Sequence, residues 1–385
     1  MRPIALSTVL ALLLIGCGDG SAVDGGGGSG GSGGTAGTGG SGGDDFVVKL
    51  THTYDALSLG TDPEEREISN VCQTWILDND EPLYVTKVRQ VNDGGWHHSN
   101  WFFVPEWAYE PDPEVEGPDA TVDGTWKCSD RGFQEYLAAA AGGVFFAQST
   151  QALDESQVFP GGAALEIPPR SAIVGSVHLL NISAAPMESA LTMEVDTVPV
   201  DQVEIRLTPF SFSNTALDIP PGPDPNNGQY QESRFSMTCD LTETFEKSLG
   251  MATPDYNVYY VLAHYHEWGN YFNLSFTHED GSRNTILELV NRVGEPIGRT
   301  IDPPMSNEGA PALTVDCGYI NTTDRTLKYG LGGQEMCVFL AYTDSGLKVG
   351  SSAAENHPMG EDENGVLLNE TDCGQITAFK ADFAD

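Results

Sequence analysis

The chain has 385 residues, 56 of them acidic and 18 basic, for a formal charge of −38 at pH 7. That balance repels nucleic-acid phosphates and anionic lipid headgroups, so no DNA or RNA partner is expected; its ordinary role is to keep an exported surface soluble. Much of the glycine lies near the N-terminus, and residues 45–385 remain long enough for two domains.

In chain order, Arg2 precedes the apolar run "IALSTVLALLLIG", which is too short to span a bilayer and reads as a secretory signal. "LLIGC" resembles a bacterial lipobox. The expectation is a lipoprotein signal over residues 1–16 and acylation of Cys17 after cleavage. This would place the protein in the bacterial cell envelope, on the outer membrane facing the periplasm or the surface. Membrane contact is then through lipid alone, each buried methylene contributing roughly 0.8 kcal/mol. Residues 17–44 include "DGGGGSGGSGGTAGTGGSGG", which buries nothing and predicts a flexible tether.

Beyond the tether, "LYVTKVRQV", "NWFFVPEW", "GVFFAQS", "AIVGSVHLLNI", "ALTMEV" and "VEIRLTPFSF" are rich in β-branched and aromatic residues and predict strands. So do "YNVYYVLAHYHEW", "YFNLSFTH", "NTILELV", "ALTVDCGYI", "EMCVFLAYT" and "QITAFKADF". Segments such as "PDPEVEGPD", "FPGG" and "IPPGPDPNNG" punctuate them, and only short pieces such as "DRGFQEYLAAAA" have helical composition. The class is therefore all-β, with sandwiches of antiparallel strands favoured. A boundary near residue 200 divides a first unit, 45–200, from a second, 201–385. After Cys17, the six cysteines 72, 128, 239, 317, 337 and 373 are an even number in an exported chain, which predicts disulfides whose pairing the sequence alone leaves open.

Eight histidines are present, and two lie one residue apart in "VLAHYHEWGN". On a strand, residues i and i+2 share a face, so His264 and His266 would present two imidazoles side by side. His97 and His98 in "GWHHSNWFF" are adjacent, and joint ligation there needs a bulge or different ring nitrogens. His178 sits in the apolar "AIVGSVHLLN". Taken singly, each has an ordinary reading as a polar-face or core residue, and so does Met336.

Together, HH, then H, then HxH, then "QEMC" resemble the type II copper, ascorbate-dependent monooxygenases, whose members include peptidylglycine α-hydroxylating monooxygenase and dopamine β-monooxygenase. The most specific stretch is "CGYINTTDRTLKYGLGGQEMCVFLAYT". The resemblance covers most of residues 45–385 and implies two tandem jelly-roll-like β-sandwiches. It implies two coppers per chain, one held by His97, His98 and His178, the other, oxygen-activating, by His264, His266 and Met336. It also implies disulfides Cys72–Cys128, Cys239–Cys373 and Cys317–Cys337. Closing the 317–337 span would contribute about 3 kcal/mol in the chain-entropy account and would fix where Met336 points. Imidazole binds both oxidation states of copper and a thioether favours Cu(I), the state that meets dioxygen. The implied reaction hydroxylates a C–H bond of a small organic substrate with O2 and an external one-electron reductant such as ascorbate. A copper-binding or scavenging envelope lipoprotein of the same fold is the alternative.

Some positions depart from the family. Where peptide-amidating members have an arginine two residues before HxH, this chain has Leu262, which argues against a C-terminal peptide glycine as substrate. Ser99 and Leu179 stand where methionine and tyrosine are common. Lys87 and Arg89 offer a basic patch for an anionic reductant, and Glu267 and Glu335 flank the expected ligands. His52, His278 and His357 match no ligand position.

Overall fold

The computed structural model describes residues 47–109, 124–223, 228–292, 297–330, 333–381 and 383. The expected signal, the acylated Cys17 and the glycine-rich tether lie outside them.

Among the described residues the regular secondary structure is almost entirely strand, with short helices at Glu106–Tyr109, Glu135–Ala141 and Thr242–Leu249. In the first half, one antiparallel sheet runs in the order Gly124–Lys127, Glu67–Ile76, Ala172–Leu180, Trp96–Val104, Gly143–Ala147. Packed on it is a second sheet in which Leu83–Asn92 pairs with Leu191–Val198, Asp154–Val158 and Ala163–Ile167, and Val48–Thr53 forms the edge. Alternation sets the layers: Leu191–Val198 buries every second residue, and its buried Met193 and Val195 join Val88, Trp101 and Ile173 in one core. Trp96–Val104 is instead buried on both faces. Gly175 makes room there, because a Cβ at that position would stand 2.4 Å from the Trp101 ring.

The second half repeats the two-layer plan. Asn257–His264 and Ile205–Ser213 flank Val338–Thr343 in one layer, and Glu232–Asp240, Ala312–Ile320, Gly269–Thr277 and Arg283–Val290 form the other. Leu347–Glu361 contributes to both layers, pairing with Ile205–Ser213 and with Leu367–Cys373.

Two features depart from the sequence expectation. Among the described residues three strand pairs are parallel: Ile205–Ser213 with Ala163–Ile167 and with Leu347–Glu361, and Glu232–Asp240 with Leu367–Cys373. These join strands far apart in sequence, so no tight turn imposes an antiparallel direction. The cores divide inside a strand: Leu207 belongs to the first and Phe210 to the second. Ile205–Ser213 therefore belongs to both halves, and Tyr260, Leu262 and Tyr342 of the second half pack into the first core.

Disulfides Cys72–Cys128, Cys239–Cys373 and Cys317–Cys337 close the structure.

Candidate metal centre

The strand carrying His97 and His98 enters through a turn at Gly94 and Gly95, both with positive φ, a conformation that favours glycine. His98 lies directly opposite His178 on the neighbouring strand, and the next pair in register is Leu179 with Trp96. His97 is thus the extra residue of a β-bulge, and the bulge lets adjacent histidines serve one site. His178 is itself in a bulge on its other side, where the register with Glu67–Ile76 shifts between Val177 and Leu179.

The second histidine pair is built differently from the i, i+2 expectation. The strand Asn257–His264 ends at His264, and Glu267 and Trp268 form a turn. Glu335 is the reason. Its buried carboxylate accepts the backbone N–H of His266 and of Trp268, both at 2.8 Å, and of Met336 at 3.2 Å. Those donors are thereby taken from a continuing strand ladder. His266 Nδ1 donates to the Gln334 carbonyl at 2.8 Å, which directs Nε2 the other way.

All five histidines meet in one cluster. His98 has ring centroids 5.5 Å from His97, 5.0 Å from His178, 4.8 Å from His264 and 5.2 Å from His266. His97 reaches His266 at 5.1 Å. The two triads implied by the resemblance are therefore not separated: one histidine-lined space takes side chains from both halves. Met336 is buried, two residues before Val338, the partner of His264 in the sheet. The Tyr319 hydroxyl donates to the Met336 carbonyl at 2.6 Å, and the disulfide at Cys337 follows at once.

A short loop joins the halves at this point. Gln148 N–H and Gln151 N–H donate to the carbonyls of Ser99 and His97, and Thr150 Oγ1 donates to the Tyr265 carbonyl at 2.6 Å. Ile297 N–H donates to Ser149 Oγ at 3.0 Å, while the Ser149 hydroxyl and backbone N–H both donate to buried Glu155. The loop that braces His97 thus also holds the peptide between His264 and His266.

Burial favours the neutral form of His97, His98, His264 and His266. Burial, reinforced by His266 and His178, holds His97 down to about 3, and burial holds His266 down to about 4. His98 and His264 are pushed well below the ordinary range by burial and by neighbouring imidazoles. Burial pushes Glu335 up to about 8 against its three backbone donors. A hydrogen bond from His178 holds Glu67 below the usual carboxylate range.

The residues fit a soft or borderline metal ion. Both ring nitrogens of His97 and of His264, Nδ1 of His98 and Nε2 of His266 are buried without a hydrogen-bond partner. The Gln148 backbone favours the charged form of His264, yet no ring nitrogen of His264 reaches hydrogen-bond geometry; the geometry decides whether a lone pair is free. Each buried unpaired polar group costs about 1–3 kcal/mol. Neutral imidazoles with free lone pairs are the form that a metal requires.

Other expected contributors fall elsewhere. Arg89 is taken by Asp154 at 2.7 Å and Glu194 at 3.1 Å, so it does not form an open anion patch with Lys87. Leu262 is a core residue. Glu267 is exposed beside an open depression of about 430 Å³ lined also by Trp268, Asn270, Asn291 and Thr322. Sequence reasoning missed Glu67, whose carboxylate stands 2.8 Å from His178 Nε2, and Thr150; neither position carries a local motif. It also passed over an exposed group of Glu355, His357 and Asp372, where the His357–Asp372 pair at 2.9 Å accounts for the arrangement.

Comparison with models of known protein families finds no match, and comparison with curated proteins finds none either. Among solved structures, the chain is similar to the major capsid protein P2 of bacteriophage PM2, at 9% identity over 77% of this chain and 97% of that one, with a TM-score of 0.30. It is also similar to the PBSX exported protein XepA, at 8% identity over 76% of this chain and 86% of that one, with a TM-score of 0.19. Superpositions this loose carry no argument, and the functional reading rests on the chain's own geometry.

Proposed function

We propose that the protein is a copper-dependent monooxygenase that hydroxylates a C–H bond of a small organic substrate. O2 supplies one oxygen atom to the product, and two external electrons with two protons convert the other to water. A donor such as ascorbate supplies the electrons one at a time. The observation that carries this reading is the convergence of five buried histidines, four of which, His97, His98, His264 and His266, keep at least one ring nitrogen without a protein partner.

The residues that would hold copper are His97, His98 and His178 from the first half and His264, His266 and Met336 from the second. Bound there, copper would supply one-electron redox chemistry and a place for dioxygen. Glu335 and the Gln334 carbonyl orient His266, Glu67 orients His178, and the Cys317–Cys337 disulfide holds the chain next to Met336. The depression beside Glu267 and Trp268 adjoins the turn after His266. In the cell envelope, acylation of Cys17 would tether this site to a membrane.

A copper-scavenging lipoprotein is the second reading, favoured by one observation: the histidines are packed ring against ring across the two halves. Loading the purified protein with copper and following oxygen uptake with ascorbate separates the two. The monooxygenase reading expects two coppers per chain and reductant-dependent oxygen uptake. Met336→Ala should cut that uptake by more than the roughly 10- to 100-fold that loss of an outer partner costs. Stable copper binding without oxygen uptake establishes the scavenger.

A further inference from the structure

We infer that the first metal ion taken up is held by a centre shared between the two halves, formed by His98, His264 and His266, with Glu67 and His178 positioning His98. The inference rests on the reading that the cluster takes copper, but it regroups the ligands: an ion held by one residue of the first half and two of the second fastens the halves to each other.

The hydrogen-bond chain argues for this grouping. A carboxylate oxygen accepts, so His178 donates its Nε2–H to Glu67 at 2.8 Å. His178 Nδ1 and His98 Nε2 face each other at 3.2 Å, a contact that engages Nε2 of His98 rather than its Nδ1. His98 is left with a bare Nδ1, buried and unpartnered. His266 is fixed in the opposite sense, since its Nδ1–H donates to the Gln334 carbonyl and its Nε2 is bare. His264 has no competing hydrogen bond at either nitrogen.

Distances agree with the chemistry. One ring nitrogen from each of His98, His264 and His266 lies within 4.8 Å of the others. An ion with metal–nitrogen bonds of about 2.0–2.1 Å in tetrahedral geometry would draw them to roughly 3.3 Å. His178 has both nitrogens engaged and is a positioning residue in this state, not a ligand. The Thr150 hydrogen bond to the Tyr265 carbonyl keeps the two second-half ligands against the first half before any ion arrives.

The test is titration of the purified full chain with Cu(I) against a competing chelator, reading the affinity of the first equivalent. His98→Gln keeps an amide to serve His178 Nδ1 but removes the Nδ1 ligand, so a loss of binding is not a loss of packing; circular dichroism confirms the fold. His98→Gln and His264→Gln should each weaken the first equivalent by more than the roughly 100-fold upper range for outer partners, and His97→Gln by less than about tenfold. Glu67→Ala should fall within the roughly 10- to 100-fold outer-partner range. Wild-type first-equivalent affinity in His98→Gln overturns the shared centre and leaves separate copper sites standing. Shared loss of affinity without oxygen uptake in the loaded protein leaves the centre standing and removes the monooxygenase. Failure of the unmutated chain to bind Cu(I) overturns both.

Discussion

A single carboxylate decides how the second histidine pair is presented. Glu335 is fully buried and takes three backbone N–H groups, two of which belong to the segment that carries His266. Replacing it by alanine leaves those donors buried and unpaired, and each such group costs about 1–3 kcal/mol. Glu335→Ala is therefore expected to lower unfolding stability in urea by at least about 2 kcal/mol. It should also weaken copper binding, whereas an exposed control such as Glu188→Ala should do neither. The "EMC" string marks Glu335 in the sequence, but its role as a backbone clamp is visible only once the turn at Glu267 and Trp268 is folded against it. Glu67 has no sequence mark at all, because its partner His178 lies 111 residues away.

At the scale of elements, bulges and a bridging loop do what regular strands cannot. A regular strand would send His97 and His98 to opposite faces; the bulge opposite His178 brings both into one space. The loop after Gly143–Ala147 then ties that strand to the opposite half through Thr150 and Ser149. Thr150→Val keeps the shape and removes the hydroxyl that holds the Tyr265 carbonyl. The expected result is a loss of about 1 kcal/mol in stability, within the net worth of one hydrogen bond, together with faster amide exchange at His266 and Trp268. Unchanged exchange there would show that the loop does not position the second histidine pair.

For the whole molecule, the site is an interface, and its protonation is coupled to folding. Without metal, His266 titrates at about 4 in the folded chain against an ordinary 6.5, so the unfolded chain binds more protons between those values. Its contribution to stability is fully present above pH 6.5 and is lost progressively as pH falls to about 4. Glu335, raised to about 8, works in the opposite direction, losing its contribution as pH rises from 4.5 to 8. The histidine effect is isolated by difference: the stability gap between the metal-free chain and His266→Gln should shrink as pH drops from 6.5 to 4, measured by thermal unfolding with a chelator present. A gap that does not change with pH removes the coupling. The sequence by itself determined the all-β class, from frequent aromatic and β-branched runs, and the residue types of the candidate centre, from local histidine strings. Those signals are short-range, set by alternation and neighbour spacing. Only the tertiary structure decided that Ile205–Ser213 is common to both cores, that Glu67 and Thr150 serve the site, and that the histidines of the two halves share one space. Each of these depends on contacts between residues distant in the chain, where bulges, parallel pairings and buried hydrogen bonds leave no local pattern.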